Sequence, residues 1–167
     1  MLQSKWPLRA LIFGAMLFVA SLCFLAPELQ ARVATHFNGA GQPDGWMTRG
    51  QHLLFISLLG FGLPAFITGL SYCIRFLPSS MLNTPHSTFW RSPENYPVAC
   101  RIILHWSYAV GALTLLWMTL LNYQLVAANR LSPPFISPTQ ALFTAGFYVM
   151  GLVLLILQLV RTFYKTR

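Results

Sequence analysis

The chain has 167 residues, of which 56% are hydrophobic and only 8% are charged, and its mean hydropathy is +0.59. A soluble domain carries about a quarter charged residues because its surface faces water, so this composition excludes an ordinary soluble domain. Eleven Lys and Arg stand against three Asp and Glu, which gives a formal net charge of +8. We predict an integral membrane protein.

Four apolar stretches are long enough to cross roughly 30 Å of hydrocarbon, which takes about 20 helical residues. They cover approximately residues 6–26, 52–77, 101–126 and 139–161. The sequence therefore predicts an all-α fold, a polytopic bundle of four transmembrane helices that forms one domain over residues 1–167. The predicted connections are residues 27–51, 78–100 and 127–138.

The distribution of positive charge predicts the orientation, because cytoplasmic loops of bacterial inner-membrane proteins retain Lys and Arg. With the N-terminus inside, the cytoplasmic parts hold eight basic residues: Lys5, Arg9, Arg75, Arg91, Arg101, Arg161, Lys165 and Arg167. The outer loops hold three: Arg32, Arg49 and Arg130. We predict a multi-pass protein of the bacterial cytoplasmic (inner) membrane with both termini inside. The lipid bilayer accounts for the basic charge, and we expect no nucleic-acid partner.

Small residues recur at a spacing of four within each predicted helix. The pairs are Ala10 with Gly14, Ala65 with Gly69, Ser107 with Gly111, and the related Phe147 with Gly151. Such spacing lets transmembrane helices approach closely.

The first outer loop contains the segment THFNGAGQPDGW at residues 35–46, with three glycines and a proline. We predict a chain of tight turns: Asn38-Gly39 suits positive φ, and Pro43-Asp44-Gly45 suits a second turn. Trp46 is expected at the membrane interface, where Trp is enriched. The candidate binding residues of this outer loop are His36, Asn38, Gly41, Asp44, Trp46 and Arg49.

These six residues resemble the loop P-x-H-x-N-x-x-G-x-x-D-x-W, followed by a basic residue, of a bacterial membrane-domain family of unknown function. That family forms the N-terminal part of the sporulation-delay toxin immunity protein SdpI. Ala34 stands where the family usually has proline, and Arg49 stands where lysine is usual. The resemblance implies an immunity or sensing role.

The cytoplasmic segment TPHSTFWRSPEN at residues 84–95 resembles a second pattern of that family, P-x-x-x-[FY]-W-x-x-P-E. The matching residues are Pro85, Phe89, Trp90, Pro93 and Glu94. Asn95 stands where relatives tend to have arginine, and Ala128-Asn129 extends the likeness beyond the third helix.

Metal and cofactor sites are not predicted. His36 and Asp44, with Glu28 and His52 nearby in sequence, could offer N and O ligands to a divalent cation. They lack the spacing of four residues on one helix, and the same side chains can instead bond the loop backbone. Haem between His52 and His105 is disfavoured, because His52 falls at the outer end of the second predicted helix and His105 near the inner end of the third, so they lie far apart along the membrane normal.

His105 is the only histidine well inside a predicted helix. Ionisable groups in membranes are often functional, so a proton-relay or ligand role and a structural role both stay open. The chain shows no nucleophile–base pair, phosphate-binding loop or intramembrane carboxylate, so we expect no enzyme and no cation-coupled transporter.

Two functional hypotheses follow. The first is a non-enzymatic recognition or regulatory protein, whose outer loop senses or neutralises an extracytoplasmic molecule while the segment 84–95 relays or anchors. The second is an accessory or assembly subunit, packed against a larger membrane protein complex. Both hypotheses include a protein partner.

The charge asymmetry predicts the result of reporter fusions. Fusions after Gln42 and Ser132 should report an outside location, and fusions after Ser87 and Arg167 an inside one. Alkaline phosphatase and a fluorescent protein provide complementary readouts. An inside signal at Gln42 would reverse the arrangement.

Overall fold

The structure is a computed structural model that describes residues 4–165. It contains four long helices: α1 (Trp6–Leu25), α2 (Arg49–Cys73), α4 (Tyr96–Asn129) and α5 (Pro138–Lys165), with the short α3 (Ser87–Trp90) before α4. Each long helix is long and apolar enough to cross a membrane. The prediction of a multi-pass, four-helix membrane fold is confirmed.

Two helices begin earlier than predicted, and local sequence explains both differences. At the start of α2, the hydroxyl of Thr48 accepts a hydrogen bond from the amide of Gln51 (3.3 Å), and the Gln51 side chain accepts one from the Thr48 amide (3.0 Å). This capping box satisfies two amides of the first turn. Helix α4 begins at Tyr96 because Pro97 is tolerated in a first turn, where no intrahelical donor is required.

Helix α4 is the centre of the bundle, and α1, α2 and α5 pack around it. α1 runs parallel to α4: Trp6 contacts Trp106 at one end, and Glu28 pairs with Arg130 at the other. α2 and α5 run antiparallel to α4, and α5 packs mainly against α4. The bundle is therefore open on the α5 side.

The two ends of the bundle differ in content. The terminal end holds both described chain ends and the connection 74–95; the hairpin end holds the connections 26–48 and 130–137. Of the eight basic residues predicted to be cytoplasmic, seven lie at the terminal end. The eighth, Arg167, lies outside the described residues. Arg32, Arg49 and Arg130 lie at the hairpin end. The structure separates the charges as predicted, while the side of the membrane stays a prediction.

Glycine allows the closest helix contacts. A Cβ on Gly111 would lie 2.9 Å from Leu11 Cδ1 and 3.3 Å from Pro64 Cβ, so this glycine lets α1 and α2 both approach α4. Gly14 similarly faces Leu115, and Gly151 faces Leu113. A Cβ on Gly69 would meet nothing within 4 Å, so that predicted pair is not used between the described helices.

Three buried apolar clusters follow one another along α4. Leu29, Val33 and Val126 lie at the hairpin end. The central cluster comprises Phe18, Ile56, Leu115 and Met118. The terminal end is filled by Leu82, Trp90, Ala99, Ile102 and Phe163.

The predicted chain of tight turns at residues 35–46 is correct only at Asn38–Gly41, because the segment forms a β-hairpin with its turn there. Strand β1 (Arg32–Phe37) pairs antiparallel with β2 (Pro43–Thr48), so Pro43-Asp44-Gly45 lies in a strand and not in a turn. The positive φ predicted at Asn38-Gly39 is found at Gly41, with φ of 81°. Proline is accommodated because it opens an edge strand, where its missing N–H costs no ladder bond.

The packing at Gly111 predicts an asymmetric response to two equivalent substitutions. Gly111→Leu should destabilise the bundle by about 1–3 kcal/mol, because the added side chain overpacks the junction of three helices. Gly69→Leu is the matched control, because it makes the same change in a helix interior with open space around it. Melting of the purified protein in detergent measures both. Equal melting temperatures would show that the helices do not meet at Gly111.

Candidate functional site

The turn of the hairpin is organised by Asn38. Its side-chain oxygen accepts hydrogen bonds from the amides of Ala40 and Gln42, both at 3.0 Å. Its backbone amide donates to the Gln42 carbonyl, and its carbonyl accepts from Gly41, both at 2.8 Å. A side chain that bonds the backbone two residues ahead is the usual function of asparagine in turns. Asn38, predicted as a binding residue, therefore holds the loop in shape.

Gly41 connects the turn to the segment between α4 and α5. Its carbonyl accepts a hydrogen bond from the Ile136 amide at 3.0 Å. A Cβ at this position would collide with the Ile136 carbonyl and lie 2.8 Å from the Phe135 ring. Gly41 is therefore required twice, for its left-handed φ and for this close approach.

Asn129, the last residue of α4, attaches strand β1 to the bundle. Its side-chain oxygen accepts from the Ala34 amide at 2.8 Å, and its NH₂ group donates to the Ala34 carbonyl at 2.9 Å. Ala34 is fully buried, and Asn129 is 8% exposed. Both backbone groups of a buried strand residue are thus satisfied by one side chain.

The base of the hairpin has its own contacts. The Arg49 amide donates to the Ala31 carbonyl (3.0 Å), and the Arg49 guanidinium donates to the Leu29 carbonyl (3.4 Å). Glu28 and Arg130 form an ion pair beside it. Arg49, predicted as a binding residue, closes the hairpin base in the structure.

His36 and Asp44 meet on the exposed part of the hairpin. The Nδ1 of His36 and a carboxylate oxygen of Asp44 are hydrogen-bonded, and the two side chains are 74% and 44% exposed. Register shifts leave Thr35 and Asp44 as extra residues in their strands, and such bulges redirect side chains. Gly45 leaves room for this pair, because a Cβ there would lie 2.8 Å from His36 Cβ.

Trp46 remains 41% exposed, and its ring lies under the Arg32 guanidinium at 5.2 Å. We refer to His36, Asp44 and Trp46 as the exposed hairpin residues. Within residues 4–165, the side chains of these three predicted site residues make no contact that attaches the hairpin to the bundle.

The second predicted motif lies at the terminal end. Trp90 is only 1% exposed and packs edge-to-face on Phe163 with ring centroids 5.3 Å apart. Phe89 packs against Trp90, whereas Pro93 and Glu94 are exposed and Pro85 is half-buried. The motif therefore docks the connection 74–95 onto α5 through its tryptophan.

The intramembrane histidines lie far apart. His105 packs against Trp6 and Trp106, with ring centroids 6.3 and 5.9 Å away, at the terminal end. His52 is buried beside Asn122, so the two imidazoles are separated by about 25 Å along α4 at 1.5 Å of rise per residue. They cannot ligate one haem iron. Within residues 4–165, no three His, Cys, Asp or Glu side chains are grouped to hold a metal ion.

Two buried asparagines of α4 are not among the predicted site residues. Asn129 is matched only through the family resemblance, and Asn122, whose NH₂ group donates to the Ser21 hydroxyl on α1 at 3.3 Å, is not predicted at all. The sequence feature that could have identified them is an asparagine inside an apolar helix, because its side-chain amide needs a hydrogen-bond partner in the membrane.

Comparison with known proteins gives a match to a family model. A family model described as "Domain of unknown function (DUF1648)" matches residues 11–61, which run from α1 through the hairpin into α2. No curated protein and no solved structure matches the chain. The matched segment includes all six predicted outer-loop residues.

The two hydrogen bonds of Asn129 predict that one side chain controls the order of the hairpin. Asn129→Ala should raise amide hydrogen exchange throughout β1 and β2, because two buried backbone groups lose their partner at a cost of about 1–3 kcal/mol each. Asn129→Asp keeps the acceptor for the Ala34 amide but sets a carboxylate oxygen against the Ala34 carbonyl, so it should also raise the exchange. Asn83→Ala, at an exposed site of the terminal end, is the control. Unchanged exchange in Asn129→Ala would show that apolar packing alone holds the hairpin.

Proposed function

We propose that the chain is a small non-enzymatic protein of the bacterial cytoplasmic membrane that recognises an extracytoplasmic molecule through the exposed hairpin residues. The observation that carries this proposal is that the residues of one short segment fall into two groups, one that holds the hairpin and one that stays exposed. Asn38, Gly41 and Arg49 hold the hairpin through its backbone. His36, Asp44 and Trp46 remain exposed to solvent.

Rigidity supports a role in recognition. The hairpin is attached at its base, at Ala34 and at its tip, so its exposed groups are held in place before a partner arrives. Preorganisation reduces the entropy lost on binding, which is why binding groups on otherwise variable loops are held by rigid scaffolds. An isolated two-stranded hairpin is only marginally stable, so these attachments are needed to keep it ordered.

The chemistry of the exposed hairpin residues suits a peptide or protein partner. An aromatic ring stacked with arginine provides the type of contact area that dominates protein interfaces. The His36–Asp44 pair adds hydrogen-bonding groups that can be exchanged with those of a partner. The HxNxxGxxDxW resemblance, which implies an immunity or sensing role of the SdpI type, falls within the segment that the family model matches.

The accessory or assembly hypothesis has one observation of its own. Helix α5 packs mainly on α4, and much of its apolar surface is exposed, including Leu142, Phe143 and Met150. A subunit of a larger complex could cover that surface. Lipid covers it equally well, so we rank this hypothesis second.

The recognition proposal is tested by near-isosteric substitutions. An aromatic photo-crosslinking amino acid, which keeps a ring in place of Trp46, should capture a discrete partner in living cells. His36→Gln and Asp44→Asn should each lower the capture by about tenfold, equivalent to about 1.4 kcal/mol of binding, at unchanged melting temperature. Gly41→Val should instead lower both capture and hairpin order, because a β-branched residue is disfavoured at positive φ.

The control places the same cross-linker at Leu142 on α5, which is 74% exposed. A partner captured at Leu142 and not at position 46 would favour the accessory hypothesis. Recognition is also contradicted if both isosteric variants lose abundance yet capture normally once their abundance is restored.

A further inference from the structure

A cleft opens at the hairpin end between the end of α4 and the start of α5. Its volume is about 450 Å³, which lies within the range of small-molecule sites. Leu120, Tyr123, Phe135 and Phe143 form most of its apolar wall. None of the exposed hairpin residues lines it.

The roof of the cleft is fixed by the hairpin. Phe135 and Ile136 line the cleft, and the Ile136 amide donates to the Gly41 carbonyl at 3.0 Å. The Phe135 amide also donates to the Ala128 carbonyl at 3.4 Å. These two bonds hold the connecting segment above the space between the helices, so the cleft is preformed and is not a gap between mobile loops.

Polar groups are concentrated at one side of the cleft. The side-chain NH₂ of Gln124 donates to the Thr144 hydroxyl and to the Gln140 carbonyl (3.4 Å), which leaves the Gln124 carbonyl oxygen as an acceptor. The side-chain amide of Gln140 makes no hydrogen bond within residues 4–165 and lines the same space. Two amide groups are thus available to a ligand beside an aromatic wall.

The cleft contains no formal charge. Its lining residues are aliphatic, aromatic, amide or hydroxyl side chains. An ionised headgroup would have to leave water without a countercharge, which is costly, whereas hydroxyl and ester groups can exchange hydrogen bonds with the two glutamines. This favours an uncharged ligand over an anionic phospholipid.

We propose that this cleft binds an uncharged amphiphile of the adjacent membrane leaflet, of the acylglycerol class. Its hydroxyl and ester groups bond Gln124 and Gln140, and its acyl chain packs along Tyr123 and Phe143 between the helices. The position agrees with this ligand, because the ends of two membrane-spanning helices lie at the level where headgroups meet hydrocarbon. The site does not depend on what the exposed hairpin residues recognise.

The test uses the full chain in nanodiscs of phosphatidylethanolamine and phosphatidylglycerol. One probe is a monoacylglycerol with a diazirine on its acyl chain, and the other is a phosphatidylglycerol with the same modified chain. After irradiation, peptide mapping should find the monoacylglycerol on the cleft segments, and excess unlabelled monoacylglycerol should remove that label. The phosphatidylglycerol probe should label the exposed helix surfaces without this preference.

Two alanines provide a matched pair of variants. Ala127 lines the cleft, so Ala127→Phe should fill it and lower cleft labelling by about tenfold or more. Ala145, on the exposed surface of α5, receives the same substitution as a control, and Ala145→Phe should leave the labelling unchanged. His36→Gln should also leave it unchanged, which separates this site from the proposed function.

A further variant protects the test against misfolding of Ala127→Phe. Gln140 is exposed, and Gln140→Leu removes the amide while keeping the volume, so the monoacylglycerol should lose its advantage over phosphatidylglycerol. Equal labelling by the two probes in the unaltered protein would mean ordinary lipid contact and overturn the proposal. Stronger labelling by phosphatidylglycerol would overturn it as well.

Discussion

The hairpin end of the molecule depends on the two hydrogen bonds between Asn129 and Ala34. In an antiparallel pair, alternate residues direct their N–H and C=O away from the partner strand. At Ala34 these groups would face the apolar interior, since the residue is fully buried, and leaving them unpaired would cost about 1–3 kcal/mol each. A single amide side chain satisfies both, as a third strand would, and thereby joins a two-stranded hairpin to a helical bundle.

Polar contacts also join α4 to two of its neighbours, α1 and α5, in addition to close packing. Asn122 bonds Ser21 of α1, and Thr114 bonds Tyr148 of α5 at 3.1 Å. Such bonds contribute only about 0.6 kcal/mol each on average in membranes, so they cannot hold the bundle alone. Glycine contacts and buried apolar side chains supply most of the attraction, and the polar contacts specify which faces meet.

The global fold could be predicted from the sequence because lipid imposes a simple requirement on length and polarity. Twenty apolar residues must form a helix, since every backbone group needs an internal partner. The hairpin could not be predicted in the same way. Its strand β2 begins with the turn-like letters Pro43-Asp44-Gly45, and its strand character comes from pairing across the chain and from bulges that are not local properties.

The candidate site could be predicted only in part, because some of its residues act through partners that are distant in sequence. His36, Asp44 and Trp46 could be selected because they are polar or aromatic residues of a motif-like loop between predicted helices. The structural roles of Asn38, Gly41 and Arg49 could not be predicted without knowing which backbone groups they bond. Asn129 is 95 positions from Ala34 in the chain, and only the parallel packing of α1 on α4 brings the two together. No local pattern carries that information.

The residue at position 34 affects how strand β1 is attached to α4. The resembled loops usually have proline at this position, and proline has no N–H to donate. With alanine, the side-chain oxygen of Asn129 gains a donor at 2.8 Å, while the carbonyl bond at 2.9 Å would be available to either residue. Proline would restrict the strand through its fixed φ. With alanine, β1 is joined to α4 by the amide hydrogen bond to Asn129, so the position of the hairpin depends directly on the end of that helix.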